Sequence, residues 1–226
     1  MNDPTLPEVV LCLAASLDGK IAAKPGAAPD FTSRDDLQKL FRLRAESDAL
    51  LVGANTVRQE ELPALVRDEA LKRQRIDAGM PPHPLAVVVS GSLNLPWESR
   101  YFSKRRQPIY IMTAAPTPDQ RRQIEALELG LLETGERLSF REGLRQLKAL
   151  GIGKVLAEGG GRLTHSLLAE GLVDRLYLTL APVIFGGFDT PPLCNGPLLN
   201  PSPGFELVDC QKIGSELHLE YRARRN

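Results

Sequence analysis

The sequence has little cysteine, few aromatic side chains, no excess of charge of either sign and no long apolar run. Three cysteines, Cys12, Cys194 and Cys210, stand among 226 residues. An odd number without metal-ligand spacing supports neither a disulfide framework nor a zinc site, and a reducing, cytoplasmic setting is expected. Lysine and arginine number 28, as do aspartate and glutamate, so the formal net charge is zero and the pI about 6.8. That balance excludes the broad basic footprint needed for nucleic acid or an anionic membrane surface, though not a local site for one small anion. Ala78–Trp97 holds no Asp, Glu, Lys or Arg, but Pro81, Pro82, Pro84 and Pro96 break it and only Leu85–Val89 is continuously apolar. Such a stretch is no membrane helix. Residues 1–7 lack both a basic and an apolar region, so no signal peptide is expected. The three histidines are scattered, and there is no G-x-S-x-G elbow and no Walker A loop. Acyl transfer and P-loop hydrolysis therefore lack support.

What is present is an ordinary globular composition, 42% hydrophobic and 25% charged, in a chain long enough to bury roughly 70% of its unfolded surface. Short apolar runs alternate with helix-patterned stretches, the signature of the α/β class. Strands are predicted at Glu8–Ala15, Ala49–Gly53, Leu85–Val89, Ile109–Thr113, Leu129–Thr134, Lys154–Glu158 and Arg175–Ile184. Helices are predicted near Arg34–Glu46, Asp68–Ala78, Pro118–Glu128, Ser139–Leu150 and Arg162–Gly171, the second of them a charged surface helix. Ser33 stands as an N-cap with Asp36 at the capping-box position. Phe205–Lys212 and Glu216–Tyr221, separated by Ile213-Gly214-Ser215, read as an antiparallel hairpin. With no internal repeat and no dividing linker, one mixed-sheet domain over residues 1–226 is expected.

Three junctions carry candidate chemistry. In Val155-Leu156-Ala157-Glu158-Gly159-Gly160-Gly161-Arg162-Leu163 an apolar strand stops at an acid and three glycines open a helix. Free amides and the positive helix end suit a phosphate there, although a plain tight turn has the same composition. It is not the dinucleotide fingerprint, because the G-x-G-x-x-G spacing is absent. Ser16-Leu17-Asp18-Gly19-Lys20 is an Asp-Gly turn that could also back a flat ligand. Gly53-Ala54-Asn55-Thr56-Val57 runs from a strand into a Thr-bearing helix start, with the acids Glu60 and Glu61 just beyond.

The order of these motifs is more specific than any one of them. S-L-D-G-K-I-A at 16–22, T-S at 32–33, R-L-R-A-E-S-D-A-L-L-V-G-A-N-T-V at 42–57, A-E-G-G-G-R-L at 157–163 and E-G-L-V-D-R-L-Y-L-T-L-A-P-V-I-F-G-G at 170–187 stand in series. The series resembles the reductase domain of the bifunctional riboflavin-biosynthesis deaminase–reductase and its stand-alone pyrimidine-reductase relatives, from about Leu11 to Gly187. The resemblance implies a three-layer, dihydrofolate-reductase-like α/β fold with a mostly parallel sheet, usually a homodimer, and NADPH as cofactor. It implies reduction of the ribosyl group of an aminouracil or diaminopyrimidine phosphate to ribityl. Ala14, Thr56, Ser90, Gly91, Gly159, Gly160, Gly161, Arg162, Leu163 and Thr164 would line the NADPH site, with Arg162 and the serines near 90–92 as 2′-phosphate partners. Arg44, Arg67 and Glu158 would hold the substrate, the arginines through their planar guanidinium groups. Glu60 would handle the proton.

Departures fall on the substrate side. Ala28 and Asp30 replace a Ser-x-Trp pair of the family, and Glu60-Glu61-Leu62-Pro63 replaces its Asp-Asp-Pro. A pterin reductase using Asp30, Asp35 or Asp36 against the ring, and a dinucleotide-binding module without catalysis, therefore stand as alternatives.

Overall fold

Strand formation follows from runs of Val, Leu, Ile and Ala too apolar to leave either face in water. Ala49–Gly53 and Leu85–Val89 are buried along almost their whole length, as strands of a parallel sheet covered on both faces must be. The structure, a computed structural model, describes residues 3–25, 30–60 and 62–224; Ala28 and Glu61 lie outside them. In chain order the elements are β1 (Glu8–Ala15), α1 (Arg34–Ala45), β2 (Ala49–Gly53), α2 (Ala54–Gln59), α3 (Glu69–Asp77), β3 (Leu85–Val89), α4 (Arg100–Ser103), β4 (Ile109–Thr113) and α5 (Pro118–Ala126). There follow β5 (Gly130–Glu133), α6 (Phe140–Ala149), β6 (Lys154–Ala157), α7 (Gly161–Ala169), β7 (Arg175–Leu180), β8 (Phe205–Ile213) and β9 (Glu216–Ala223). The chain divides into two compact units, Met1–Glu8 with Leu43–Leu156, and Val9–Arg42 with Ala157–Asn226.

The first unit has strand order β5-β4-β3-β2-β6. Parallel ladders align Leu51 with Val87, Val88 with Ile111, and Met112 with Leu132. Its core joins Val52, Val88, Ile111 and Ile124 to Tyr101 and Phe102. Those two aromatics come from α4, a single turn that sequence periodicity cannot detect. Phe102 packs on Trp97 with ring centroids 5.4 Å apart. The predicted surface helix becomes α3, but it is not wholly a surface element: Arg75 is 2% exposed.

The second unit has strand order β1-β7-β9-β8. β1 and β7 are parallel, Leu13 beside Leu178, whereas β7–β9 and β8–β9 are antiparallel. The expected C-terminal hairpin is present, and its turn is tighter than expected because β8 runs through Ile213 and Gly214 supplies a φ of 59°.

The start of α1 departs from expectation. Ser33 Oγ accepts from the Asp36 amide at 3.3 Å, but the Asp36 side chain does not return to close a capping box. It accepts instead from Thr179 Oγ1 of β7 at 2.6 Å and pairs with Lys39 at 2.9 Å. The Ser33 amide and hydroxyl both donate to Glu216 at the head of β9, each at 2.6 Å. His218 Nε2 lies 3.0 Å from the same carboxylate. A charged acceptor taking two donors outcompetes a local carboxylate that already has cationic and hydroxyl partners. Burial pushes the Asp36 carboxyl up, but Lys39 and Thr179 outweigh it and hold it below its ordinary value.

Glu216→Gln keeps the shape and removes the charge from this cap. It is expected to cost about 1–3 kcal/mol, read as a lower urea midpoint at neutral pH. An unchanged midpoint contradicts the assignment.

Candidate functional site

The predicted phosphate cradle forms where β6 stops. Glu158 follows the last buried residue of the strand and is half-buried. Gly159 and Gly160 then take φ values of 86° and 87°, conformations that cost a side-chain-bearing residue energy. Gly160 is the N-cap of α7 and no side chain caps that helix, so its first-turn amides have no intrahelical acceptor and stand at the positive end of the dipole. The three glycines serve different ends. A Cβ at Gly159 would lie 2.7 Å from Leu13 Cδ2, and one at Gly161 would lie 2.5 Å from the Pro192 carbonyl oxygen. At Gly160 it would meet nothing within 4 Å. Packing against backbone therefore demands glycine at 161, positive φ favours it at 159 and 160, and 160 is the open side of the turn.

A loop closes over one flank of this junction. The Asn195 amide donates to the Gly161 carbonyl at 2.9 Å, and the Leu193 amide donates to Gly19 at 2.9 Å. Arg162 is exposed, whereas Leu163 and Thr164 are buried. The Thr164 hydroxyl has no hydrogen-bond partner among the described residues. Ala14, half-buried near the end of β1, lies one residue from Leu13, against which Gly159 packs.

Other candidates belong to the first unit. Thr56 sits in the first turn of α2, directly after β2, and Ser90 and Gly91 follow β3, the neighbour of β2. Both sets thus occupy the carboxyl ends of adjacent parallel strands, where open α/β sheets place their ligands. Ser90 is buried and its Oγ accepts from the Leu93 amide at 3.0 Å, while Gly91 is exposed. Glu60 ends α2, its amide donating to Thr56 at 2.9 Å, with its side chain exposed. Arg44 lies in the last turn of α1 and donates through Nη1 to the Leu65 carbonyl at 3.4 Å. Arg67, exposed, stands two residues further on, just before Asp68, the N-cap of α3. The structure thus joins Arg44 to the segment of Arg67, and the cradle to the strand of Ala14.

The Ser16–Lys20 turn has a structural explanation. Ser16 Oγ donates to Asp18 at 2.6 Å, and the Phe185 and Gly186 amides donate to the same carboxylate at 3.2 and 2.8 Å. Together the Ser16 hydroxyl and these two amides hold the Asp18 carboxyl down to about 2. Of the carboxylates a pterin site would use, Asp36 is already committed to Thr179 and Lys39. Sequence reasoning missed Arg75; its only trace was helical spacing from Leu71, four residues before it.

Comparison with known proteins adds the family. A family model described as the RibD C-terminal domain matches residues 7–219. A 2,5-diamino-6-ribosylamino-4(3H)-pyrimidinone 5′-phosphate reductase of Archaeoglobus fulgidus is 31% identical over 84% of this chain and 87% of its own. The protein of that name from Methanothermobacter thermautotrophicus is 29% identical over 96% of this chain and 99% of its own. Among solved structures, a pyrimidine reductase-like protein from Corynebacterium diphtheriae superposes with a TM-score of 0.82 at 22% identity, covering 97% of this chain and 93% of that one. That likeness shows the fold.

The Asp18 value lies below the ordinary carboxylate value near 4. Its contribution to order in the 185–186 loop is therefore present above pH about 4 and lost as pH falls through about 2. Side-chain NMR titration of Asp18 is expected to give a midpoint near 2, and Asp18→Asn to speed amide exchange at Phe185 and Gly186. A midpoint near 4 contradicts this.

Proposed function

The chain belongs to the RibD C-terminal domain family, and from that premise we propose that it is a pyrimidine reductase of riboflavin biosynthesis. On this reading it reduces the ribosyl group of a 2,5-diaminopyrimidinone or 5-aminouracil ribosylamine phosphate to the ribityl chain, with NADPH as reductant. The observation that carries the proposal is the end-to-end likeness to a stand-alone reductase, 96% of this chain against 99% of the relative.

The residues fit a dinucleotide. An uncapped helix start behind two positive-φ glycines, open at Gly160, offers amides to a phosphate. Gly159, Gly160, Gly161, Arg162, Leu163 and Thr164 form that start; Ala14, Thr56, Ser90 and Gly91 line the remainder, with Arg162 the partner for a 2′-phosphate. When bound, the cofactor supplies a hydride to C1′ of the ring-opened ribosyl group. Glu60, exposed at the end of α2, delivers the accompanying proton, directly or through water. Arg44 and Arg67 hold the substrate phosphate, and Glu158 the remainder of the substrate. We take residues 1–226 as one reductase domain.

We place the enzyme in the reducing cytoplasm as a homodimer. Support comes from three free thiols, from the lack among the described residues of a helix able to cross a membrane, and from the exposed strand β8 with Leu207 and Val208 on its surface.

Oxidation of NADPH by the pyrimidine ribosylamine phosphate, made in situ, tests the reading. Turnover is expected with NADPH in preference to NADH; binding of NADPH without turnover of either pathway substrate would reduce the chain to a binding module. Arg44→Gln and Arg67→Gln are each expected to raise KM for the phosphorylated substrate about 10- to 100-fold, with the NADPH KM unmoved. Glu60→Gln is expected to lower kcat about 10²- to 10⁴-fold. Full activity in that variant assigns the proton to another donor.

A further inference from the structure

We propose that Arg75 is a positioning residue, which locks the end of α1 bearing Arg44 and so sets the placement of the arginines that take the substrate phosphate. The inference rests on the assignment of Arg44 and Arg67 to that phosphate.

Arg75 is among the largest fully buried side chains of the protein, at 2% exposure. A guanidinium so placed has to find acceptors for its donors. It finds three main-chain carbonyls: Nη1 donates to Ala45 and to Ser47, both at 2.7 Å, and Nε donates to Pro81 at 2.8 Å. Ala45 is the last residue of α1, so its carbonyl is one that the helix itself cannot satisfy. The two preceding carbonyls are taken by Ser47, whose amide donates to Arg44 at 3.3 Å and whose hydroxyl donates to Leu43 at 2.8 Å. The carbonyls of Leu43, Arg44 and Ala45 are therefore all engaged, and a cation sits where the helix dipole favours one.

The same arginine ties this helix end to the chain that presents Arg67. Arg75 belongs to α3, whose N-cap is Asp68, next to Arg67. The Asp68 carboxylate accepts from the amides of Ala70 and Leu71 at 2.8 and 3.1 Å, which fixes the entry to α3. Upstream, Gln107 Nε2 donates to Ala64 at 2.9 Å and Arg44 donates to Leu65 at 3.4 Å, with Val66 fully buried between them and Arg67. Segment 64–68 forms neither helix nor strand, and these bonds tie it to its surroundings. Arg75, through α3 on one side and α1 on the other, connects the two arginines by backbone rather than by side-chain contact.

Lysine keeps the charge but lacks the planar fork needed to reach three carbonyls. Arg75→Lys is therefore expected to raise KM for the phosphorylated substrate about 5- to 30-fold, with kcat and the NADPH KM within about twofold of wild type. With the dephosphorylated ribosylamine as substrate the two proteins are expected to have equal KM. In an Arg44→Gln background, Arg75→Lys is expected to add a rise clearly smaller than its effect on the wild type, the part that passes through Arg67. A merely structural role predicts the reverse pattern, a loss of active protein with both substrates alike and an additive effect on Arg44→Gln, and either result overturns the proposal. If Arg75→Lys does not fold, Ser47→Ala frees only the Leu43 carbonyl; a smaller KM rise confined to the phosphorylated substrate is expected, and its absence counts against the proposal. An Arg44→Gln enzyme with unchanged KM removes the underlying phosphate assignment. A large Arg44→Gln effect beside a silent, folded Arg75→Lys removes this inference alone.

Discussion

A parallel strand buried on both faces has no room for polar side chains except at its ends. This constraint arranges the rest of the protein. β2 and β3 are apolar almost to their last residue, and the polar groups stand just past the strand ends: Thr56 after β2, Ser90 and Gly91 after β3, and Glu158 with the glycines after β6. Chemistry gathers at strand termini because that is where the fold permits unpaired amides, glycine conformations and charged groups without burying them. The uncapped start of α7 is the sharpest instance, since a protein that needed only a turn there gains nothing by leaving the helix without a cap.

Helix α1 shows how distant chain is recruited to satisfy local backbone. At its start the orphan donors of Ser33 go to Glu216, a residue 183 positions later. At its end the orphan carbonyl of Ala45 goes to Arg75. Both partners are buried charges, which are costly alone and acceptable only when several hydrogen bonds converge on them. A helix end whose carbonyls are engaged in this way is a firm mount for a side chain in its last turn. Arg44 occupies that position, so the substrate assignment and the packing of α1 are aspects of one arrangement.

Much of this was legible in the residues. The strands were readable because Ala49–Gly53, Leu85–Val89 and Ile109–Thr113 can be little else. The hairpin and the glycine junction were readable because turns and φ > 0 have few residue choices. Other features were not. α4 is four residues long, too short for any periodicity. The roles of Arg75 and Glu216 depend on backbone groups that every residue possesses, so no pattern in the sequence marks their partners. Asp36 looked like half of a capping box, and only the nearness of Thr179 and Lys39 redirects it. Even at Gly161 the residue was legible while its cause, the Pro192 carbonyl 2.5 Å from where a Cβ would stand, was not.

Everything proposed for the site turns on one step, the movement of a hydride from a reduced nicotinamide to the ribosyl carbon of a pyrimidine phosphate. The most direct measurement supplies NADPH carrying deuterium at both C4 positions of the nicotinamide and examines the product by mass spectrometry and NMR. The predicted result is one deuterium, carried on C1′ of a newly formed ribityl chain. A product with no deuterium, or with the label on the pyrimidine or on a pterin ring, contradicts it.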